Sequence, residues 1–293
     1  MILVLAPDAG APLADLVERS GERRGVEVIR WTPSAMIREV GLALEIDGPA
    51  TRVRFAYGGR AIAGEAIAGV VTAVDGFAPA LWPAYSPRDQ LYAAQEAVAA
   101  WVAALAALPG RLLNPPSADA LGGAIVTPVE VSLRAGEVGL GAPAIAYVES
   151  ASALRDERAD EVRACACALG EVTPVEAPLG RAWLAAAGEG PIRVRGAGRG
   201  RVRVVMVGAR ALTAEGEAPP ATVVAALGEL QRRLGRTLGE VWLSREDDGG
   251  WLVEEALRWP GAASVAALGA ALGDVILDAL MEPRGAGEEA SRW

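Results

Sequence analysis

The sequence predicts an α/β protein in two parts: an N-terminal α/β domain with a largely parallel sheet over residues 1–113, and an α+β domain over 114–281. Three observations predict it. The chain starts on a continuous apolar run, ILVLA (2–6), joined through a helix-spaced segment to an alternating one, GVEVIRW (25–31). Continuous strands linked by helices imply a parallel sheet covered on both faces. A Pro- and Gly-rich connection, RLLNPPSADALGG (111–123), then divides the pattern. Beyond it GEVWLS (239–244) and GWLVEE (250–255) form a closely spaced strand pair.

The elements follow in order. Leu13, Leu16 and Val17 give residues 11–22 helical spacing. The preceding turn, APDAGAP, has no G-x-G-x-x-G and so no dinucleotide fingerprint. LALEID (42–47) and TRVRFAYGGRAIAG (51–64) read as strands, with Gly58 and Gly59 as a turn, and IAGVVTAV (67–74) as a buried strand. A long helix runs from Pro87 to Leu108, where Pro109 and Gly110 stop it. In the second part a helix spans Thr127 to Val138: Thr127 caps it, Pro128 suits its first turn, and Glu130 stands at the capping-box position. The strand AIAYVES (144–150) comes next. DEVRACACALG reads as helical, which would point Cys165 and Cys167 to different faces, suited to neither a disulfide nor a chelate. They are expected to be small buried hydrophobes. A helix around Trp183, a strand VRVVMVG (202–208), a helix from Pro220 to Leu234 and a final helix from Ala263 to Leu280 complete the fold. Residues 282–293 read as a disordered tail.

Composition removes whole classes of chemistry. There is no His, and every one of the 28 basic residues is Arg. A Ser-His-Asp triad, a His-ligated metal and a Lys Schiff base are therefore impossible within this chain. A net charge of −9 disfavours nonspecific binding to nucleic acid. One stretch runs against that balance: PIRVRGAGRGRVRVVMVG (191–208) carries Arg193, Arg195, Arg199, Arg201 and Arg203. Alternate arginines on a strand usually mark a solvated face, and the competing reading is an anion site. No apolar run reaches the roughly 18 residues of a membrane span. The N-terminus lacks the basic region of a signal peptide. The expected location is cytoplasmic, without membrane or nucleic-acid partners.

The linker LLNPPS (112–117) and the segments TPVEVSLRAGEVGLGAP (127–143), VRVVMVGARAL (202–212), LGELQRRLGRTLGEVWL (227–243) and DDGGWLVEEALRWP (247–260) carry a family resemblance. Their order resembles the ligase domain of the ATP-grasp superfamily, closest to its ribosomal-protein-S6-modifying-like branch. The resemblance implies an ATP-grasp-like α+β domain behind an N-terminal α/β domain. It also implies ATP clamped between two subdomains, magnesium, and activation of a carboxylate as an acyl phosphate for attack by an amine. Such chemistry needs cations on the phosphates and oxygen ligands on magnesium.

Against the family pattern this sequence departs at most of those points. The lysine after the linker is replaced by GGAIV (122–126), and the next family lysine falls near Ala177. The acidic hinge residue falls near Gly196. The first magnesium acid falls on Trp242, with Glu240 two residues away. In the closing strand Glu255 matches the family glutamate, while the metal-binding Asn falls on Leu257. Arg203 matches an arginine the family commonly keeps, and Arg can replace Lys as a phosphate donor.

Three readings follow. In the first the chain is a binding or scaffold subunit without ATP or magnesium chemistry and needs no cofactor. It would stand beside a competent ligase or as a homodimer and hold a peptide or small carboxylate. Trp183, Trp242 and Trp259 would then fill former polar cleft positions, although buried core explains each of them singly. In the second it is a divergent ATP-dependent carboxylate–amine ligase. Arg193, Arg195 and Arg203 would then contact the nucleotide, and Glu240, Glu255 and Asp247 would hold magnesium, although turn chemistry already accounts for Asp247. In the third the Arg-rich strand binds an anion unrelated to ATP.

Overall fold

A computed structural model describes residues 1–47, 50–118, 120–142, 145–150, 163–166, 189–195, 199–246 and 249–282. The first sheet is wholly parallel, in the order β2 (Val28–Trp31), β1 (Ile2–Leu5), β6 (Gly69–Thr72), β7 (Arg111–Leu113). β1 and β6 are buried at every position, as their unbroken apolar sequences require of central parallel strands. Helix α1 (Pro12–Arg24) covers one face. It begins on Pro12 and ends on Gly25, whose left-handed φ of 64° lets the chain turn back into β2.

The other face carries α3 (Pro87–Ala107), and Trp101, Ala104 and Leu105 of that helix share a core with Leu3, Leu5 and Val70. An antiparallel meander closes this core: β3 (Gly41–Asp47), β4 (Ala50–Tyr57) and β5 (Arg60–Ala63). Its Phe55 stacks on Trp101 at 5.7 Å and lies 5.1 Å from Trp31. The β4–β5 turn needs positive φ at two successive residues, and Gly58 (55°) and Gly59 (74°) supply it. The short helix α2 (Pro33–Arg38), capped by Thr32, was not foreseen in the sequence.

In the second part α4 (Pro128–Glu137) starts as expected, with the Thr127 hydroxyl accepting from the Glu130 amide at 3.2 Å. A four-stranded antiparallel sheet follows: β12 (Arg210–Glu215), β11 (Arg199–Val207), β13 (Leu238–Arg245) and β14 (Trp251–Leu257). Val202, Val204, Met206, Val241 and Leu243 pack beneath α5 (Ala221–Arg233) and α4. From the opposite face Val205, Val207 and Leu238 join the core of the first sheet.

The bridge between the two parts is α6 (Ala262–Met281). Its Val265, Leu272, Ile276, Leu277 and Leu280 enter that same core, and Gly273 meets α1 so closely that a Cβ would stand 2.0 Å from the Ser20 hydroxyl. No apolar segment of span length is expected from the sequence, and this helix is one. With 20 residues and a mean hydropathy of 1.7 it meets the length and apolarity of a membrane span, yet its apolar row is spent on the core.

A separate three-stranded antiparallel sheet, β8 (Ile145–Ser150), β10 (Glu189–Arg195) and β9 (Arg163–Ala166), carries two corrections. Cys165 lies in strand β9 rather than in a helix, paired with Arg193 of β10. Alanine-rich residues favour a helix locally, but cross-strand pairing decides short segments of this kind. The arginines of 191–208 do not share one strand either: Arg193 and Arg195 belong to β10, while Arg199, Arg201 and Arg203 belong to β11. β12 was also missed as a strand of its own. The expected helix around Trp183, Cys167, Asp247 and the tail beyond residue 282 fall outside the described residues.

Candidate functional site

The register of the large sheet lines up Arg203 of β11, Trp242 of β13 and Glu255 of β14 across three neighbouring strands. These are the positions at which the resemblance sought an arginine, a metal acid and a metal glutamate. All three are buried, Arg203 and Glu255 to 8% exposure each. An irregularity in the β13–β14 pairing lies between Glu255 and Val253 and sets Glu255 opposite Trp242.

Trp242 dominates this row. The guanidinium of Arg203 lies 4.7 Å from its ring centroid and that of Arg201 lies 4.8 Å away. Stacking of this kind favours Arg over Lys because the planar guanidinium covers the ring. Arg203 also forms an ion pair with Glu215 of β12 at 2.8 Å. The expected solvated face is therefore a buried arginine–aromatic stack at Arg203.

Glu240 is 1% exposed, and both its oxygens hold protein donors. One accepts from the Trp242 indole N–H at 2.6 Å and the other from the Gly261 amide at the start of α6 at 2.8 Å. It thereby orients the indole and ties β13 to α6. Glu255 stands beside Trp242 and within electrostatic reach of Arg236. Leu257, the other metal position of the family pattern, pairs with Glu240. Arg193 and Arg195 belong to β10 of the small sheet, a different sheet from this row.

This donor set does not match magnesium. The row offers Glu255 next to an indole and a leucine, while Glu240 is already engaged twice, and the ion takes near-octahedral oxygen. Among the described residues no group of three or more His, Cys, Asp or Glu side chains is placed to hold a metal.

Behind the row lies a junction that the sequence did not reveal. Asn114, fully buried, accepts from the Thr237 and Leu238 amides at 2.8 and 2.7 Å and donates to the Arg258 carbonyl at 2.7 Å. It joins the end of the first sheet to the start of β13 and to the residue that follows β14. Arg258 pairs with Asp75 through two hydrogen bonds and stacks on Trp259 at 4.9 Å. Only the "LLN" of the linker hinted at this asparagine.

Arg236 stands close by, 4% exposed, with a guanidinium bond to the Ala256 carbonyl at 2.9 Å. Burial pushes its pKa down to about 10; the like charge of Arg258 adds to this, and Glu255 and Glu130 oppose it. At neutral pH the group is charged in both folded and unfolded chains, so its burial costs about 3 kcal/mol. Replacing it with Met removes that cost and loses one hydrogen bond from a charged donor, worth about 1.5 kcal/mol. Arg236→Met is therefore expected to raise the melting temperature at pH 7 by several degrees. The gain should shrink as pH climbs past about 10, because the wild-type penalty fades where only the unfolded chain still holds the proton. A lower melting temperature for the variant would contradict this account.

Trp259 leads into a cleft of about 770 Å³ at the carboxyl ends of β1, β2 and β6. Pro7 and Asp8 follow β1, Pro33 follows β2, and Ala73 to Ala78 follow β6. Leu91, Ala94, Gln95 and Val98 of α3 form the opposite wall. Open α/β sheets bind ligands at this end because the loops there are free of the sheet's own packing.

No family model and no curated protein matches the sequence. Solved structures do match. The macrocyclase MdnC bound with precursor peptide MdnA, from Microcystis aeruginosa MRC, superposes with a TM-score of 0.66 at 15% identity, over 94% of this chain and 99% of that one. The ATP-grasp ligase PsnB complexed with precursor peptide PsnA2 and AMPPNP gives 0.67 at 17% identity, over 95% and 96%. A RimK domain ATP-grasp protein from Sphaerobacter thermophilus DSM 20745 gives 0.51 at 14%, over 96% and 100%. At such identities the likeness speaks for architecture alone, and over nearly its whole length this chain has the ATP-grasp ligase fold.

Proposed function

We propose that this protein keeps the ligase fold without ATP–magnesium chemistry and serves as a binding or scaffold subunit, holding a peptide beside a competent ligase. The observation that carries this reading is the row Arg203–Trp242–Glu255. A buried indole, with two guanidiniums 4.7 and 4.8 Å from its ring centroid, occupies the place opposite Glu255 where a metal-binding acid would stand. Glu240, the nearest substitute, has both oxygens committed to protein donors. The peptide half of the proposal draws support from MdnC and PsnB, whose structures hold precursor peptides.

The second reading is a divergent carboxylate–amine ligase that places Arg193, Arg195 and Arg203 on nucleotide phosphates and magnesium on Glu240 and Glu255. Glu255 in its family position and the AMPPNP held by PsnB favour it. Calorimetric titration with ATP, ADP and AMP-PNP, each with and without magnesium, separates the two. The scaffold reading expects no magnesium-dependent heat from well-folded protein. Micromolar, magnesium-dependent binding would replace it with the ligase.

A further inference from the structure

The cleft beside Trp259 is a site that neither reading uses. Its walls are apolar: Phe77, Leu81, Leu91, Val98 and Trp259 face it, with Pro7, Pro33 and Pro79 at the edges. Leu91 and Tyr92 of α3, together with Tyr85 just before that helix, are among the large apolar side chains left exposed, at 53% to 64%. Of the two carboxylates at the cleft, Asp75 is neutralised by Arg258. Asp8 is exposed and has no hydrogen bond or ion pair among the described residues.

That balance selects the ligand. Among the described residues the cleft has no uncommitted cation, since its neighbouring guanidinium is already bound to Asp75, so phosphates and carboxylates find no partner there. An exposed carboxylate on a chain of net charge −9 attracts a cation. The cleft is open to solvent and continues into the exposed face of α3, a shape suited to a chain passing through.

We propose that this cleft docks an extended peptide segment of a partner protein, one that places a large apolar side chain next to an arginine or lysine. The apolar side chain lies against Phe77, Leu91 and Trp259, and the basic one meets Asp8. The inference rests on the reading of the chain as a peptide-holding subunit and names where the peptide sits.

An immobilised array of hexapeptides, with all residue types at the two central positions and Gly-Ser flanks, tests it on the full-length protein. Binding should concentrate on centres that join a large apolar residue to Arg or Lys, and it should weaken with salt. Asp8→Lys reverses a rim charge and should weaken those spots about tenfold. Leu91→Glu should remove them. Both positions are exposed, so circular dichroism of the variants should match that of the wild type. If the two variants bind the same peptides as the wild type with the same strength, the cleft is not the site, while the peptide-holding reading stands. A preference for acidic centres overturns the chemistry assigned to the cleft. If the folded wild type binds no peptide in the array, both the cleft assignment and the peptide-holding reading fail.

Discussion

Replacing Glu240 by leucine should lower the free energy of unfolding by about 3 to 5 kcal/mol, although the side chain it introduces is apolar and the site is buried. The reason lies in the donors it leaves behind. The Trp242 indole N–H and the Gly261 amide both point at the Glu240 carboxyl, at 2.6 and 2.8 Å, and neither gains another acceptor when it is removed. A buried donor without a partner costs about 1 to 3 kcal/mol; the Trp242 indole is buried and the Gly261 amide partly so. Glu240→Gln keeps one oxygen acceptor and should cost only about half as much. Urea denaturation distinguishes the pair: both midpoints should fall, that of Glu240→Leu further, with unchanged slopes. Equal midpoints would mean that the two hydrogen bonds do not hold β13 to α6. The comparison also bears on function. A carboxylate whose removal destabilises the metal-free protein this strongly is structural, whatever role the family gave to its neighbourhood.

Asn114→Leu should be comparably damaging, at about 3 to 4 kcal/mol, because one side chain completes three hydrogen bonds between parts of the chain more than a hundred residues apart. Leucine matches its volume approximately, so the loss is one of polar satisfaction rather than of a cavity. The Thr237 and Leu238 amides and the Arg258 carbonyl would all lose their partner. Hydrogen exchange gives the sharper measurement: protection at Thr237 and Leu238 should drop well before global unfolding, freeing the start of β13. Asn114→Asp retains the two accepted bonds but sets a carboxylate against the Arg258 carbonyl, so it should fall between wild type and Asn114→Leu. Uniform loss of protection across the whole large sheet would instead make Asn114 a core residue with no special place at the junction.

The parts of this protein legible in its sequence are those with a strong local signal. ILVLA and IAGVVTAV read as buried strands, and Gly58-Gly59 as a tight turn. Thr127, Pro128 and Glu130 announced their helix start before any fold was known. The sequence also marks Trp242 as an altered position of a ligase site and Glu255 as a retained one, and the register sets them opposite each other. Where local signal was weak the sequence misled. The alternation in DEVRACACALG was hidden by helix-favouring alanines, and pairing with β10 made Cys165 part of a strand.

What the sequence determined by itself was the two-part α/β plan, the ligase-like order of its elements, and the exclusion of His and Lys chemistry, since all of these depend on residue types and short-range spacing. The tertiary structure alone decided that Glu240 is a doubly bonded tie rather than a spare metal ligand. It also decided that Asn114 joins the two sheets, that Arg258 neutralises Asp75, and that Trp259 walls a cleft at whose rim Asp8 stands exposed. Each of these depends on which distant groups share one burial environment, and a side chain's partners there are chosen by packing and hydrogen-bond satisfaction, which no local pattern encodes.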